Sequence, residues 1–435
     1  MGKPRVLVVG TGFAGYHCLR GLERALPPDA ADLVAVNPTD YMLYVPLLPE
    51  VAGGTLDPRR VAVPLRPKLP RTRLVQAHAT SVDLGERTCT AVDVEGRTQV
   101  VEWDRIVLTS GSVTRLMSLP GVAEHAFGFK SVAEAVFLRD HVLRQVELAE
   151  QADDPAERAA RTTFVVVGAG YTGTELVAQG MQLTKAARRG RSALPPLRWV
   201  LVDLAPRVLP GLDERLSGPA ERVLRERGVD VRLETSVSEV TGTCVKLTDG
   251  TEIPTRTVVW CVGVRPDPLV SSVDLPTEKG RLVVGQDLSV PGHPHVFAAG
   301  DVAAVPDVYN GGKPTPMTAQ HAERQGRLAG RNVAASLGYG ECRPYRHRDL
   351  GFVVDLGGGQ AVADPLHVPL TGWPAKVVAR GYHLLAMPGN RLRVAVDWLT
   401  ELLARRQVVQ FGLVPASGVR LSDADRVDAG PAVRS

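Results

Sequence analysis

The chain has 435 residues, 44% hydrophobic and 23% charged, with a formal net charge of +4. That length exceeds one ordinary core and points to two or three domains, and the composition excludes a disordered chain. The charge is too mild to make nucleic acid a partner, and no run of about 18 apolar residues marks a membrane-spanning helix.

Met1-Gly2-Lys3 leads directly into the strand-like run Val6-Leu7-Val8-Val9, so no signal peptide is expected. RVLVVGTGFAG, from Arg5 to Gly15, reads as strand, glycine-rich turn and helix start. Leu33-Val34-Ala35-Val36 is the next strand candidate. The pattern returns as TFVVVGAGYTG, from Thr163 to Gly173, followed by Trp199-Val200-Leu201-Val202. Apolar runs alternating with helical stretches predict βαβ units and parallel sheets. The Ala-rich, charged stretch from Gln145 to Arg161 reads as a helix end and connector. Ile106 to Ser112, Thr257 to Gly263 and His295 to Asp301 are further strand ends.

One GxGxxG is weak evidence, but both copies follow a β-branched apolar run and precede helix-forming sequence. The first glycine permits the tight turn, the second lets backbone approach a pyrophosphate, and the third lets helix pack on strand. The helix N-terminus then presents free N–H groups and a positive dipole end. Gly10, Gly12 and Gly15 form one candidate cradle and Gly168, Gly170 and Gly173 the other. After the second strand of each unit come Asn37 and Asp203. A carboxylate at that place accepts from a ribose hydroxyl and repels a 2′-phosphate, which favours NADH over NADPH. Asn37 either hydrogen-bonds a ribose without charge or is a strand-end residue before Pro38.

Five cysteines (Cys18, Cys89, Cys244, Cys261, Cys342) contain no CxxC pair. They are expected to be reduced, structural thiols in a cytosolic protein, with no disulfide framework and no metal site.

Two GxGxxG units and the late Ala298-Ala299-Gly300-Asp301 resemble the flavoproteins with two dinucleotide-binding domains. TDYMLYVPLLPEVAGG (Thr39 to Gly54), GAGYTGTELV (Gly168 to Val177) and TAQHAERQG (Thr318 to Gly326) narrow the resemblance to type II NADH dehydrogenases, non-pumping NADH:quinone oxidoreductases. It covers about residues 5 to 412. It implies an α/β fold of two Rossmann-like domains, for FAD and NADH, with a C-terminal α-helical membrane-associating segment. It also implies non-covalent FAD, NADH as co-substrate and a quinone acceptor. By this resemblance Gly10, Gly12, Gly15, Asn37, Gly111, Gly300, Asp301 and Ala319 hold FAD. Gly168, Gly170, Gly173 and Asp203 hold NADH. Glu175 lies near the nicotinamide and flavin, and Gln320 faces flavin and quinone. Arg324 stands where the family has the first of two glutamines, a departure to a longer, charged donor. His321 either relays a proton or packs. Lys376 either reaches the quinone side or is a solvated helix lysine. Disulfide and sulfide:quinone reductases fit less well, because each needs a cysteine pair.

The expected division is 1–118 for the first part of the FAD domain, 119–283 for an inserted NADH domain and 284–344 for the second part of the FAD domain. Amphipathic helices at 345–412 and a mobile tail at 413–435 complete it. Within Trp373 to Gly412, Val394, Trp398 and Leu402 are spaced for one apolar face, flanked by Arg391, Arg393, Arg405 and Arg406. That face suits a membrane interface, and the competing reading is packing on the protein or on a second copy in a homodimer. The expected location is cytoplasmic, peripheral on the inner face of the cell membrane. Two other functions fit the same motifs: a soluble FAD-dependent NAD(P)H oxidoreductase with another acceptor, and a low-turnover flavin-binding membrane-associated protein.

Overall fold

The computed structural model describes residues 2–421. Its largest sheet has eight strands. Arg5–Val9 lies inside it, parallel to Asp32–Asn37 on one side and Arg105–Leu108 on the other. Covered on both faces, it is a continuous apolar run. The outer strand Thr88–Asp93 is covered on one face and alternates instead. The helix Phe13–Ala25 packs against Ala319–Ser336. A Cβ on Gly326 would lie 2.1 Å from the Ala14 carbonyl oxygen, and one on Gly330 2.4 Å from that of Cys18. Only glycine admits this backbone-to-backbone contact.

The second unit is a four-stranded parallel sheet. Thr163–Val167 runs between Arg198–Val202 and Thr257–Trp260. A three-stranded antiparallel sheet, Val237–Val240, Cys244–Leu247 and Glu252–Pro254, belongs to the same part of the chain. The expected domain division differs from the packing at two places: Tyr44, Leu47, Leu48, Val51, Leu56 and Val61, grouped with the first unit, pack in the core of the second. Leu269, Val270, Val273, Leu275 and Leu282, grouped with the inserted unit, pack in the first core. Val264–Pro266 pairs with Ser112–Thr114, so the chain has already returned to the first unit there.

A third, small antiparallel sheet is built from Val353–Asp355, Ala361–Ala363 and Leu370–Thr371. The helix Gly372–Ala386 packs over it, and Arg391–Leu403 follows after the break at Pro388–Gly389. The second helix buries only Val394 and Trp398. No helix among the described residues is long and apolar enough to cross a membrane. The chain then straps back over the molecule. Arg406 donates to the Gly53 carbonyl at 2.7 Å, and the N–H groups of Phe411 and Gly412 donate to Asp140 at 2.9 and 2.7 Å. Arg420 bridges to Phe127, and Leu421 is fully buried. The expected mobile tail is therefore corrected for 419–421, where an apolar side chain finds a core. Positions 422–435 lie outside the described residues. All five cysteines are free. Cys18 and Cys89 are buried as expected, Cys244 and Cys261 are half-buried, and Cys342 is exposed.

Candidate active site

The two glycine-rich loops are built alike. Gly10 and Gly168 take φ of +86° and +107°, conformations that glycine adopts without a Cβ penalty. Their N–H groups donate to the carbonyls of Val36 and Val202, each at 2.8 Å. A Cβ on Gly15 would lie 1.8 Å from the Gly10 oxygen, and one on Gly173 1.9 Å from the Gly168 oxygen. By contrast, a Cβ on Gly12 or Gly170 would meet no protein atom within 4 Å. The first and third glycines are thus required by the protein's own packing, while the middle one keeps a space open beside a helix N-terminus. This is the geometry of a pyrophosphate cradle.

Asn37 and Asp203 hold these loops in shape. Asn37 Oδ1 accepts from the Thr11 N–H at 2.9 Å, and its Nδ2 donates to the Thr39 carbonyl at 2.8 Å. In the second unit Asp203 accepts from the N–H groups of Ala169 and Ala205. Asn37 is buried, and its amide orders the loop. An asparagine suffices there because Thr39 accepts from the amide nitrogen.

The first site fits FAD on two observations. The buried Thr11 hydroxyl has no hydrogen-bond partner among the described residues, and the space above Gly12 is open. Beside it, Gly300 has φ +78°, and its N–H donates to Gln325 Oε1 at 2.8 Å. Asp301 accepts from the Ser112 hydroxyl at 2.5 Å, and Lys130 Nζ donates to the same hydroxyl at 2.7 Å. Burial lowers the Lys130 ammonium to about 8. Gly111 (φ +83°) makes the turn just before this relay.

Glu175 lies in the first turns of the helix Tyr171–Ala187 and accepts from the Asp355 N–H at 2.8 Å. Burial drives its carboxyl well above the usual range. Around it sits a cluster that sequence reasoning missed. Asp355 pairs with Lys376. Glu50 accepts from Trp398 Nε1 at 2.6 Å and from Arg380 at 3.3 Å, and Arg380 stacks 3.8 Å from the Trp398 ring centre. Tyr44 OH lies 3.2 Å from His383 Nδ1. Burial pushes Glu50 up to about 7 and His383 down to about 4.

Gln320 and Ala319 open the helix Ala319–Ser336. The Gln320 amide is engaged by protein: Oε1 meets His347 Nε2 at 2.7 Å and the Leu350 N–H at 2.9 Å, and Nε2 donates to Asp349 at 3.2 Å. Arg324 turns back to the Gln320 carbonyl at 3.0 Å. His321 is buried against Tyr345 OH at 2.8 Å, the packing alternative.

Comparison with known proteins decides the family. The model of the pyridine nucleotide-disulphide oxidoreductases matches residues 4–326. Type II NADH:quinone oxidoreductase Ndh of Mycobacterium tuberculosis is 31% identical over 426 residues, covering 93% of this chain and 89% of that protein. The chain belongs to the type II NADH:quinone oxidoreductases. Demethylphylloquinone reductase NdbB of Synechocystis is 30% identical over 415 residues, covering 92% of this chain and 97% of its own. In fold, the type II oxidoreductase matches NDH2 from Plasmodium falciparum, solved in complex with NADH, at a TM-score of 0.85 and 16% identity, across 94% of this chain and 100% of that one.

Within this type II oxidoreductase, Lys376 is not a solvated helix lysine. Its side chain is 13% exposed and ion-paired inside the cluster. The missed residues Glu50 and Asp355 carried one signal, an acidic residue inside an apolar run, in PLLPEVAGG and FVVDLGGG. Lys130 and Ser112 carried none.

Proposed function

We propose that this chain oxidises NADH on a bound FAD and passes the electrons to a quinone. The carrying observation is the pair of matched glycine loops, each with an open middle glycine and an ordering Asn37 or Asp203, after parallel-paired strands of two separate sheets. FAD, when bound, supplies the hydride and electron chemistry. In our reading Gly10, Gly12, Gly15, Gly111, Gly300, Asp301 and Ala319 hold FAD. Gly168, Gly170, Gly173 and Asp203 hold NADH, with Asp203 also setting the preference against a 2′-phosphate. Glu175 lies toward the meeting point of the two units, and Gln320, through the 347–351 segment it anchors, shapes the acceptor side. Asn37 acts on FAD through Thr11. An anaerobic half-reaction experiment tests this: NADH bleaches the flavin, and a water-soluble quinone restores it. Bleaching restored by no quinone would favour another acceptor.

The same reading places the protein peripherally on a membrane, at the inner face of the cell membrane. Leu385, Leu392, Leu402 and Leu403 are 77%, 77%, 83% and 79% exposed on the two C-terminal helices. Arg391, Arg393 and Arg405 lie exposed beside them. Exposed apolar side chains rimmed by arginine suit an anionic lipid interface. Vesicle co-sedimentation checks it. A homodimer through the same face would instead give concentration-dependent mass in solution without lipid binding.

A further inference from the structure

The chain passes between its two units on a pair of strands, Ser112–Thr114 going out and Val264–Pro266 coming back. One side chain closes this crossover. Lys130 Nζ donates to the Ser112 hydroxyl at 2.7 Å, and that hydroxyl donates to Asp301 Oδ2 at 2.5 Å. A hydroxyl that accepts from an ammonium and gives its hydrogen to a carboxylate is charge-assisted at both ends.

The backbone of Lys130 belongs to the inserted unit. Three positions earlier, the Phe127 N–H donates to the Val258 carbonyl at 2.9 Å, and the Phe127 carbonyl accepts from the Trp260 N–H at 2.8 Å. One position later, Ser131 caps the helix Val132–Gln151. Glu134 of that helix accepts from the N–H groups of Lys130 and Ser131, each at 2.7 Å. A Cβ on Gly128 would lie 2.1 Å from Glu134 Oε1, so the turn between these anchors is close-packed. Lys130 is thus fixed at its backbone to the NADH-side unit and at its ammonium to the FAD-side unit.

Asp301 depends on that bond. Among the described residues its side chain makes no other hydrogen bond and no ion pair. The neighbouring charges are engaged elsewhere. Glu134 holds the connector N–H groups, Asp267 on the return path accepts from the Leu269 N–H at 2.9 Å, and Arg281 donates to the Thr315 carbonyl at 2.8 Å. Asp301 is also the residue read above as holding FAD, and this inference rests on that reading. A carboxylate set against a diphosphate-bearing cofactor is stabilised by a cation one hydroxyl away. A Cβ on Gly111, next to Ser112, would meet no protein atom within 4 Å, which leaves room for the cofactor beside the relay.

We propose that Lys130 is a positioning residue that joins FAD binding to the seating of the NADH-side unit. Through Ser112 it sets the Asp301 carboxylate that receives the cofactor. Through its own backbone it sets the inserted unit relative to the flavin. FAD affinity and the placement of NADH therefore share one side chain.

The test compares holoenzyme with Lys130→Met, which keeps an unbranched side chain and removes the ammonium. FAD affinity, read from the flavin fluorescence released on dilution, should fall by ~30-fold, the scale of one charged hydrogen bond. With FAD in excess, the limiting rate of flavin bleaching by NADH should fall by about 10-fold through misplacement. The half-saturating NADH concentration should not change, because the loop from Gly168 to Gly173 is untouched. Ser112→Ala breaks the same relay and spares the connector's backbone anchors, so it should reproduce both losses, and it serves if the methionine variant does not fold. The double variant should lose little more than either single one, since both remove one relay. A Lys130→Met holoenzyme that keeps its FAD affinity, or loses FAD yet bleaches at the unchanged limiting rate, overturns the proposal, as do additive losses in the double variant. Wild-type flavin that NADH does not bleach would sink the proposed function instead, and FAD release would still report on Lys130.

Discussion

Asp203→Ala is the perturbation that most cleanly isolates the second loop. The carboxylate accepts from two backbone N–H groups, Ala169 inside the loop and Ala205 just beyond the strand. Hydrogen bonds to a charged acceptor contribute about 1.5–3 kcal/mol each. The loop keeps two other anchors, Gly168 N–H to Val202 and Leu209 N–H to the Ala169 carbonyl, both at 2.8 Å. Part of the order therefore survives, and about 2 kcal/mol of NADH affinity should be lost, near 30-fold. Anaerobic stopped flow at increasing NADH measures it as a rise in the half-saturating concentration for flavin bleaching. FAD content should not change, because the first loop is ordered by Asn37 instead. Asp203→Asn should fall between the two, keeping one acceptor, and should narrow the preference for NADH over NADPH. Unchanged NADH saturation in a folded Asp203→Ala protein, or loss of FAD in place of NADH affinity, would refute this reasoning.

Gly15→Ala and Gly173→Ala should separate the cofactors: each Cβ collides with a backbone oxygen of its own loop. The overpacking costs about 1–3 kcal/mol, seen as weaker FAD retention in the first variant and weaker NADH saturation with retained flavin in the second. Leu421→Ala should lower stability by about 2–4 kcal/mol in thermal melts, since that side chain is fully buried. His141 and His383 are held neutral by burial, both down to about 4. Their folded pKa lies below the unfolded value, so the stability they contribute is present above about 6.5 and is lost as pH falls toward 4, on the order of 3 kcal/mol each. Melts across that range check the sign. Replacing Leu392 and Leu402 together with serine should abolish co-sedimentation with anionic vesicles while NADH still bleaches the flavin; retained binding would count against the lipid-facing reading.

The glycine loops were legible in the sequence because their constraint is local: six residues fix the turn, the approach and the helix contact. The C-terminal helix break at Pro388–Gly389 was legible for the same reason. The Glu50 cluster was not. Glu50 and Trp398 are 348 positions apart, and Asp355, Lys376 and Glu175 come from three other elements, so no spacing rule brings them together. Asn37 shows the complementary failure. Its position was read correctly, but only the fold reveals that its amide faces Thr11 and Thr39. The expected mobile tail from 413 was wrong for 419–421 because nothing local in LVPASGVRL signals that Leu421 has a core to enter.

The most direct test of the central claim is the anaerobic visible spectrum of the purified protein, titrated first with NADH and then with a water-soluble quinone. The account predicts a flavin spectrum that bleaches with NADH and returns with quinone. A protein that takes up no FAD when supplied with it, or whose flavin NADH does not bleach, would contradict it.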